Sequence, residues 1–302
     1  MHLVIAGGSG LIGSALANSF LADGYQVSIL TRHPDKVRLP QGASAVGWDG
    51  HTVASWGELM NHADAVLNLA GKRLSSWPWT RQKFLQFWTS RVDAGRALVA
   101  AIGAASSRPP VFVQASGINY YGPHGLETVT EAGAAGTDSL AELSLAWEAS
   151  TEPVEALGVR RVITRSAVVL ARDDGILPLY ALPASLFVGG RFGNGRQGLS
   201  WIHLEDEVAA MRFLIENQEA SGAFNLTSPH PVSSAEFLRM VASVLHRPFW
   251  LPLPAFILQL VLGKMSTLLL EGAYPLPKRL LDLGFHFRFE DAEAALRDLL
   301  AA

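Results

Sequence analysis

The chain has 302 residues, 49% hydrophobic and 17% charged, which supplies material for a large core and excludes a disordered chain. A formal net charge of −3 gives no global field for nucleic acid or an anionic membrane, so neither is expected as a partner. The absence of cysteine excludes a disulfide framework, a thiol nucleophile and a thiolate metal site, and is compatible with a cytoplasmic location.

Leu3 to Ala6 is a short apolar run suited to a buried strand. Gly7, Gly10 and Gly13 follow at three-residue spacing. Ile12, Leu16 and Phe20, with Ala15 on the same face, begin a helical pattern, and Gly24 closes it as a residue of positive φ. Val27 to Leu30 adds a second strand. Strand, glycine turn, helix and strand within about thirty residues form the βαβ context of a dinucleotide-binding turn. A side chain at Gly7 or Gly10 would hold the backbone away from a pyrophosphate. Gly13 lets helix and strand approach, and the helix N-terminus offers free N–H groups to phosphates. An ordinary tight turn is the alternative; the placement favours the cofactor.

The second strand ends in Leu30-Thr31-Arg32. An acidic residue here would hold the adenine ribose, whereas an Arg accommodates a 2′-phosphate, so NADP is expected in preference to NAD. Otherwise Arg32 belongs, with His33 and Lys36, to a solvated loop. Ala43 to Trp48 reads as a third strand, where Trp48 and Asp49 either contact adenine or close the strand onto a helix. Ala65 to Gly71 is the fourth, and Asn68 to Gly71, with Leu69, Ala70 and Gly71 as contacts, places small groups near the cofactor phosphates and ribose. The basic-aromatic stretch Lys72 to Arg81 is expected to form a loop over the site mouth rather than a nucleic-acid contact. A helix from about Thr80 to Ile102 follows, with Arg91 facing the cofactor side.

Val111 to Ala115 is the fifth strand, and Ser116 at its end sits over the crevice where such sheets bind ligands. Thr137 to Ala156 is a helix that Pro153 kinks or ends early, and Val159 to Leu170 is the sixth strand. This alternation predicts an α/β fold, a Rossmann-type doubly wound parallel sheet covered on both faces. From Asp173 the composition changes to glycine-punctuated and proline-broken segments. The expected division is a cofactor domain over 1–170 and a smaller, mostly helical substrate domain over 171–302, with segments around 198–227 returning to the sheet. Within the second domain, Arg196, Gln197 and His203 are candidates for substrate contact, His203 alternatively capping or packing. Ala255 to Leu270 is the most apolar stretch, shorter than the ~18 residues of a spanning helix, and is expected to be buried or to pack domains together, a membrane contact being the alternative. No His, Asp or Glu set has metal-ligand spacing.

Ala6-Gly-Gly-Ser-Gly-Leu-Ile-Gly13, Asn68-Leu-Ala-Gly71, Ser116 and Ser200-Trp-Ile-His203 with Asp206 resemble the extended short-chain dehydrogenase/reductases. More narrowly, Thr31-Arg32, Trp48-Asp49, Trp79-Thr80, Ser90-Arg91, Tyr120-Tyr121-Gly122, Trp147-Glu148, Gly193-Asn-Gly-Arg-Gln197 and the tail from Pro275 resemble its atypical "epimerase family" branch. The chain departs from that branch at Pro78 and Asn119. The resemblance implies a Rossmann domain binding NADP through Gly7, Ser9, Gly10, Leu11, Ile12, Gly13, Thr31, Arg32, Trp48, Asp49, Leu69, Ala70, Gly71, Arg91, Ser116 and Arg165. It also implies a smaller C-terminal substrate domain, and it supplies no known reaction.

The chemistry of that superfamily uses a Tyr and a Lys at i and i+4 of one helix, the Lys and the cofactor lowering the Tyr pKa. Counting back from Trp147-Glu148, those positions hold Leu140 and Ser144. Tyr274 and Lys278 have the spacing, but Pro275 and Pro277 forbid a regular helix across them. Ser116, Tyr120 and Tyr121 are therefore the catalytic candidates, with Glu142 and His124 behind them; a strand-end cap and simple packing are the alternatives. The expected function is an NADP-dependent oxidoreductase or epimerase acting on a small hydroxyl- or carbonyl-bearing molecule, sugar-like in one version. An NADP-binding sensor or scaffold without turnover is the alternative.

Overall fold

The computed structural model describes residues 1–125, 127–172 and 174–301, so Asp173, where the composition changes, lies outside the described residues. Strand β1 (His2–Ala6) leads into helix α1 (Leu11–Ala22), followed by β2 (Gln26–Thr31), β3 (Ser44–Gly47) and β4 (Ala65–Asn68). Helix α2 (Arg81–Ala104), β5 (Val111–Gly117), helix α3 (Ser139–Ala149) and β6 (Arg160–Ser166) come next. After β7 (Val168–Leu170), helix α4 (Leu177–Ser185), β8 (Trp201–His203) and helix α5 (Leu204–Glu216), β9 (Gly222–Leu226) returns to the main sheet. That sheet has seven parallel strands in the order β9-β6-β5-β4-β1-β2-β3. The order reverses between β1 and β4, and a doubly wound sheet opens its ligand crevice beyond the strand ends at such a point.

Alternation along β1 divides the core. Leu3 and Ile5 face α1 and α5 with Leu16, Phe20, Met211 and Leu214, while Val4 and Ala6 face the α2 side with Trp56, Leu98 and Ile102. A third core, built on Leu177, Tyr180, Trp201, Phe237 and Leu296, belongs to the C-terminal lobe. Two helices join that lobe, α6 (Ser234–Val244) and α7 (Ala255–Leu262).

Three local expectations change, and at Pro153 the helix ends early as expected. The inward face of α1 is Gly13, Leu16, Ala17 and Phe20; Ile12 and Ala15 are only half-buried. Helix α3 ends at Ala149, and Pro153 opens a separate turn of 3-10 helix, Glu152–Leu157, because its ring cannot continue the α3 ladder. The sixth strand breaks at Ala167, where the chain changes partners: Ala167 N donates to Leu226 O and Val168 N to Ser200 O, so β7 pairs with β8 outside the main sheet. Finally, α7 is not a buried helix. Only its Leu258 is buried, and Phe256, Leu260 and Val261 face out. Among the described residues, no helix is long and apolar enough to cross a membrane.

Candidate functional site

The turn after β1 closes on itself: Gly10 N donates to Gly7 O at 3.1 Å and Ser14 N to Gly10 O at 2.8 Å. A Cβ at Gly13 would lie 2.6 Å from both Gly7 O and Gly8 Cα, so no larger residue lets α1 approach β1 this closely. A Cβ at Gly10 would meet only Gly7 O, at 3.4 Å, which leaves that position open toward the crevice. No side chain caps α1 and its first turn carries no acid. The amides of Leu11 and Ile12 have no intrahelical acceptor, and with half-exposed Gly7 and exposed Ser9 beside them the turn fits a pyrophosphate.

Beyond β2 the guanidinium of Arg32 is exposed. Lys72 and Lys83 gather near it. The Lys72 ammonium is pushed below its ordinary pKa by partial desolvation and then by the positive charges of Lys83 and Arg32. Lys72 Nζ donates to Gln86 Oε1, and among the described residues none of the three cations has a carboxylate within 4.0 Å. Three converging cations without a counter-charge fit a bound dianion. Lys72 opens the basic-aromatic stretch expected to cover the site mouth, whereas Lys83 lies just beyond that stretch, in the first turn of α2, and carries no motif of its own.

Trp48 and Asp49 serve the local turn. The Asp49 carboxylate accepts from Thr52 Oγ1 (2.6 Å), Thr52 N (2.8 Å) and His51 N (2.7 Å), and these bonds hold its pKa down to about 2. Trp48 packs edge-on against Trp56 at 5.6 Å, and Thr31 is buried beside it, its carbonyl accepting from Trp48 N. Leu69 and Ala70 are half-buried beyond β4. Arg91, reaching from α2, places its guanidinium against Gly71 and donates through Nη1 to Lys72 O and Phe87 O, with the Trp147 ring 4.8 Å away. Burial pushes its pKa down to about 10, and among the described residues no carboxylate lies within 4.0 Å of it.

Of the catalytic candidates, Ser116 and Tyr121 form a buried network, with half-buried Tyr120 packed against it. Ser116 Oγ donates to Glu148 Oε1 at 2.7 Å, and Arg165 grips the same carboxylate through Nε and Nη2, each at 2.9 Å. Arg165 Nη1 also donates to the Tyr121 hydroxyl, which donates to Asn225 Oδ1 at 2.7 Å. Tyr121 is 1% exposed and desolvation raises its pKa, so its phenol is held away from proton exchange. The Tyr120 ring lies under the Arg165 guanidinium, 3.3 Å from carbon to ring centroid. Arg165, expected at the cofactor, thus turns inward. Glu148, named in the sequence only as part of a motif, is the centre of the network.

The open cleft lies beside this network, between the sheet edge and the C-terminal lobe. It encloses about 190 Å³, and its lining includes Asn119, Asp138, Leu140, Ser166, Gln197 and Glu271. Leu140 therefore does face the cleft without any proton to exchange, and Ser144 turns its hydroxyl back to Leu140 O. Ser166 Oγ donates at 2.6 Å to Glu207 Oε1, and Glu207 is wholly buried. Burial pushes the Glu207 carboxyl up to about 8. Gln197 stands in the cleft wall, donating to Phe192 O and Leu269 O. Arg196 is exposed outside that lining, its carbonyl accepting from Tyr274 OH. His203 is not at the cleft: its Nδ1 accepts from Glu205 N to cap α5 and its ring stacks on Phe289 at 3.9 Å. Tyr274 and Lys278 are separated by the proline break, Lys278 pairing with Asp282. Ser166, Glu207, Asp138 and Glu271 escaped sequence reasoning, since each depends on contacts between distant segments.

The NAD dependent epimerase/dehydratase family matches residues 3–142, and a domain of unknown function (DUF1731) matches residues 253–299. The epimerase family protein YfhF of Bacillus subtilis is 37% identical over 302 residues, covering 100% of this chain and 98% of that protein. The human epimerase family protein SDR39U1, solved with NADPH, superposes with a TM-score of 0.88 at 29% identity, covering 99% of each chain. A nucleoside-diphosphate sugar epimerase from Corynebacterium glutamicum superposes with a TM-score of 0.80 at 27% identity, over 99% of this chain and 58% of that one.

Proposed function

The chain belongs to the epimerase family of NAD(P)-binding, short-chain dehydrogenase/reductase-like proteins, and from that premise we propose that it is an NADP-dependent oxidoreductase or epimerase acting on a small hydroxyl- or carbonyl-bearing molecule. Preference for NADP rests on Arg32, Lys72 and Lys83, none of which has a carboxylate within 4.0 Å among the described residues. The pyrophosphate would lie on the turn from Gly7 to Gly13, and Arg91 would hold the Gly71–Lys72 wall beside it. When bound, the cofactor supplies the hydride chemistry, and the chain supplies orientation and a proton path.

The observation that carries the enzymatic reading is the Ser166–Glu207 pair. Burial favours the protonated Glu207 carboxyl, which would pass its proton to Ser166 Oγ as Ser166 gives its own to a substrate oxygen in the cleft, leaving a carboxylate that accepts from the Ser166 hydroxyl. Ser166 and Glu207 then do the work for which Leu140 and Ser144 are unfit, while Asn119 and Gln197 orient the substrate. A second reading, cofactor binding without turnover, is favoured by the Ser116 hydroxyl being spent on Glu148.

A screen of aldehydes, ketones and nucleotide sugars with NADPH separates the two. The enzymatic reading expects turnover that Ser166→Ala and Glu207→Gln each reduce while NADPH affinity stays constant. Tight NADPH binding with no turnover across the screen would leave the second reading standing.

A further inference from the structure

We propose that the C-terminal lobe docks on an anionic lipid surface through the apolar face formed by α4, the Phe249–Pro254 segment and α7. Leu182 (52% exposed), Leu186 (62%), Phe187 (56%), Trp250 (63%), Phe256 (67%) and Leu260 (83%) all stand out from it. Between them runs a groove of about 380 Å³ whose lining residues include no polar side chain. The face is one continuous structure. Trp250 Nε1 donates to Phe187 O, Trp250 N to Gly189 O, and Leu253 N to Arg191 O, which ties the segment after α6 to the segment after α4. An apolar face of this kind, wide and contiguous, marks an interaction surface.

Charge selects the occupant. Residues 175–204 and 237–270, within which this face lies, contain no Asp or Glu at all, but carry Arg191, Arg196, Arg239, Arg247 and Lys264. These segments therefore hold +5 in a chain of net charge −3, leaving −8 for the rest. The small net charge conceals this segregation. Arg247 lies over the Phe187 ring at 4.5 Å and Arg239 over Phe249 at 5.3 Å, so cations flank the apolar side chains. Arg191, Arg239, Arg247 and Lys264 have no carboxylate within 4.0 Å among the described residues.

A second copy of the chain fits poorly, because a two-fold contact would set this cationic rim against itself. Anionic headgroups answer the cations while the apolar side chains, Phe187 among them, enter the acyl boundary, with Trp250 at the depth where amphipathic aromatics settle. A helix that lies in the interface need not span it, which agrees with the short length of α7.

Flotation of the full chain with vesicles tests this, using equal parts phosphatidylglycerol and phosphatidylcholine against phosphatidylcholine alone. Recruitment is expected to the anionic vesicles only, and raised salt should release the protein. Arg247→Glu with Lys264→Glu should weaken recruitment by about five-fold or more per cation, and Phe256→Ser with Leu260→Ser should abolish it. All four positions are surface-lying, so a preserved melting transition shows that each variant still folds. The proposal is overturned by no recruitment, by equal recruitment to neutral vesicles, or by recruitment indifferent to both variants. It is equally overturned if the chain is a dimer without vesicles and Leu260→Ser dissociates it, because a second copy then covers the face.

Discussion

Glu148 and Arg165 meet in a fork of two hydrogen bonds, each 2.9 Å, with both side chains almost wholly buried. The pair joins α3 to β6, and it also determines what Ser116 and Tyr121 do. Removing one partner leaves the other as an uncompensated charge in a dry environment, which costs about 3–5 kcal/mol. Glu148→Gln is therefore expected to lower stability to urea by roughly that amount. Arg165→Met together with Glu148→Gln should lose less than the sum of the single losses, since the double change leaves no stranded charge. Additive losses would show that the pair is not coupled.

Glu207 makes stability depend on pH. Its folded pKa is raised to about 8 from the ordinary 4.5, so the folded state holds a proton that the unfolded chain releases. The stabilisation is complete below the unfolded value and is lost as pH rises from about 4.5 to about 8. Melting temperature measured across that interval should fall more steeply for the native chain than for Glu207→Gln, which has no proton to release. Parallel curves for the two proteins would contradict the assignment.

The two glycines of the phosphate turn make separable contributions. Gly13→Val places carbon where Gly7 O and Gly8 Cα already are, so loss of folded protein is expected. Gly10→Ala meets only one atom, at 3.4 Å, and should fold with near-native stability while NADPH affinity drops about ten-fold or more. Isothermal titration of a well-folded Gly10→Ala with undiminished affinity would remove the pyrophosphate from this turn.

His203 tests whether the C-terminal tail is latched structurally. It caps α5 and stacks on Phe289, while Asp206 next to it accepts from Arg288 N at 2.8 Å and Phe289 N at 2.9 Å. His203→Ala removes a cap and a buried stack, and a destabilisation of about 2 kcal/mol or more is expected, with cofactor affinity unchanged. A loss of affinity at constant stability would restore it to the ligand site.

The cofactor half of the fold was legible because its signals are local. Hydrophobic runs, glycine spacing and Gly24, which has φ of +76°, act within a few residues of one another. The catalytic half was less legible because its contacts are long-range. Ser116 sits at a strand end as expected, yet Glu148 arrives from thirty-two positions away and accepts its hydrogen bond. Ser166 was read as interior strand, and its cleft position follows from the break at Ala167, where the chain leaves one sheet for another. The α7 stretch misled in the opposite direction: its apolar run indicates burial, and the structure leaves most of it exposed.

Titration of the chain with NADPH and with NADH, native and as Arg32→Ala, tests the central claim most directly. Native protein should prefer NADPH, and Arg32→Ala should lose about ten-fold or more in NADPH affinity while leaving NADH unchanged, because only the 2′-phosphate meets that cation. Equal affinity for both cofactors in the native chain, or an Arg32→Ala loss shared equally by both, would contradict the account.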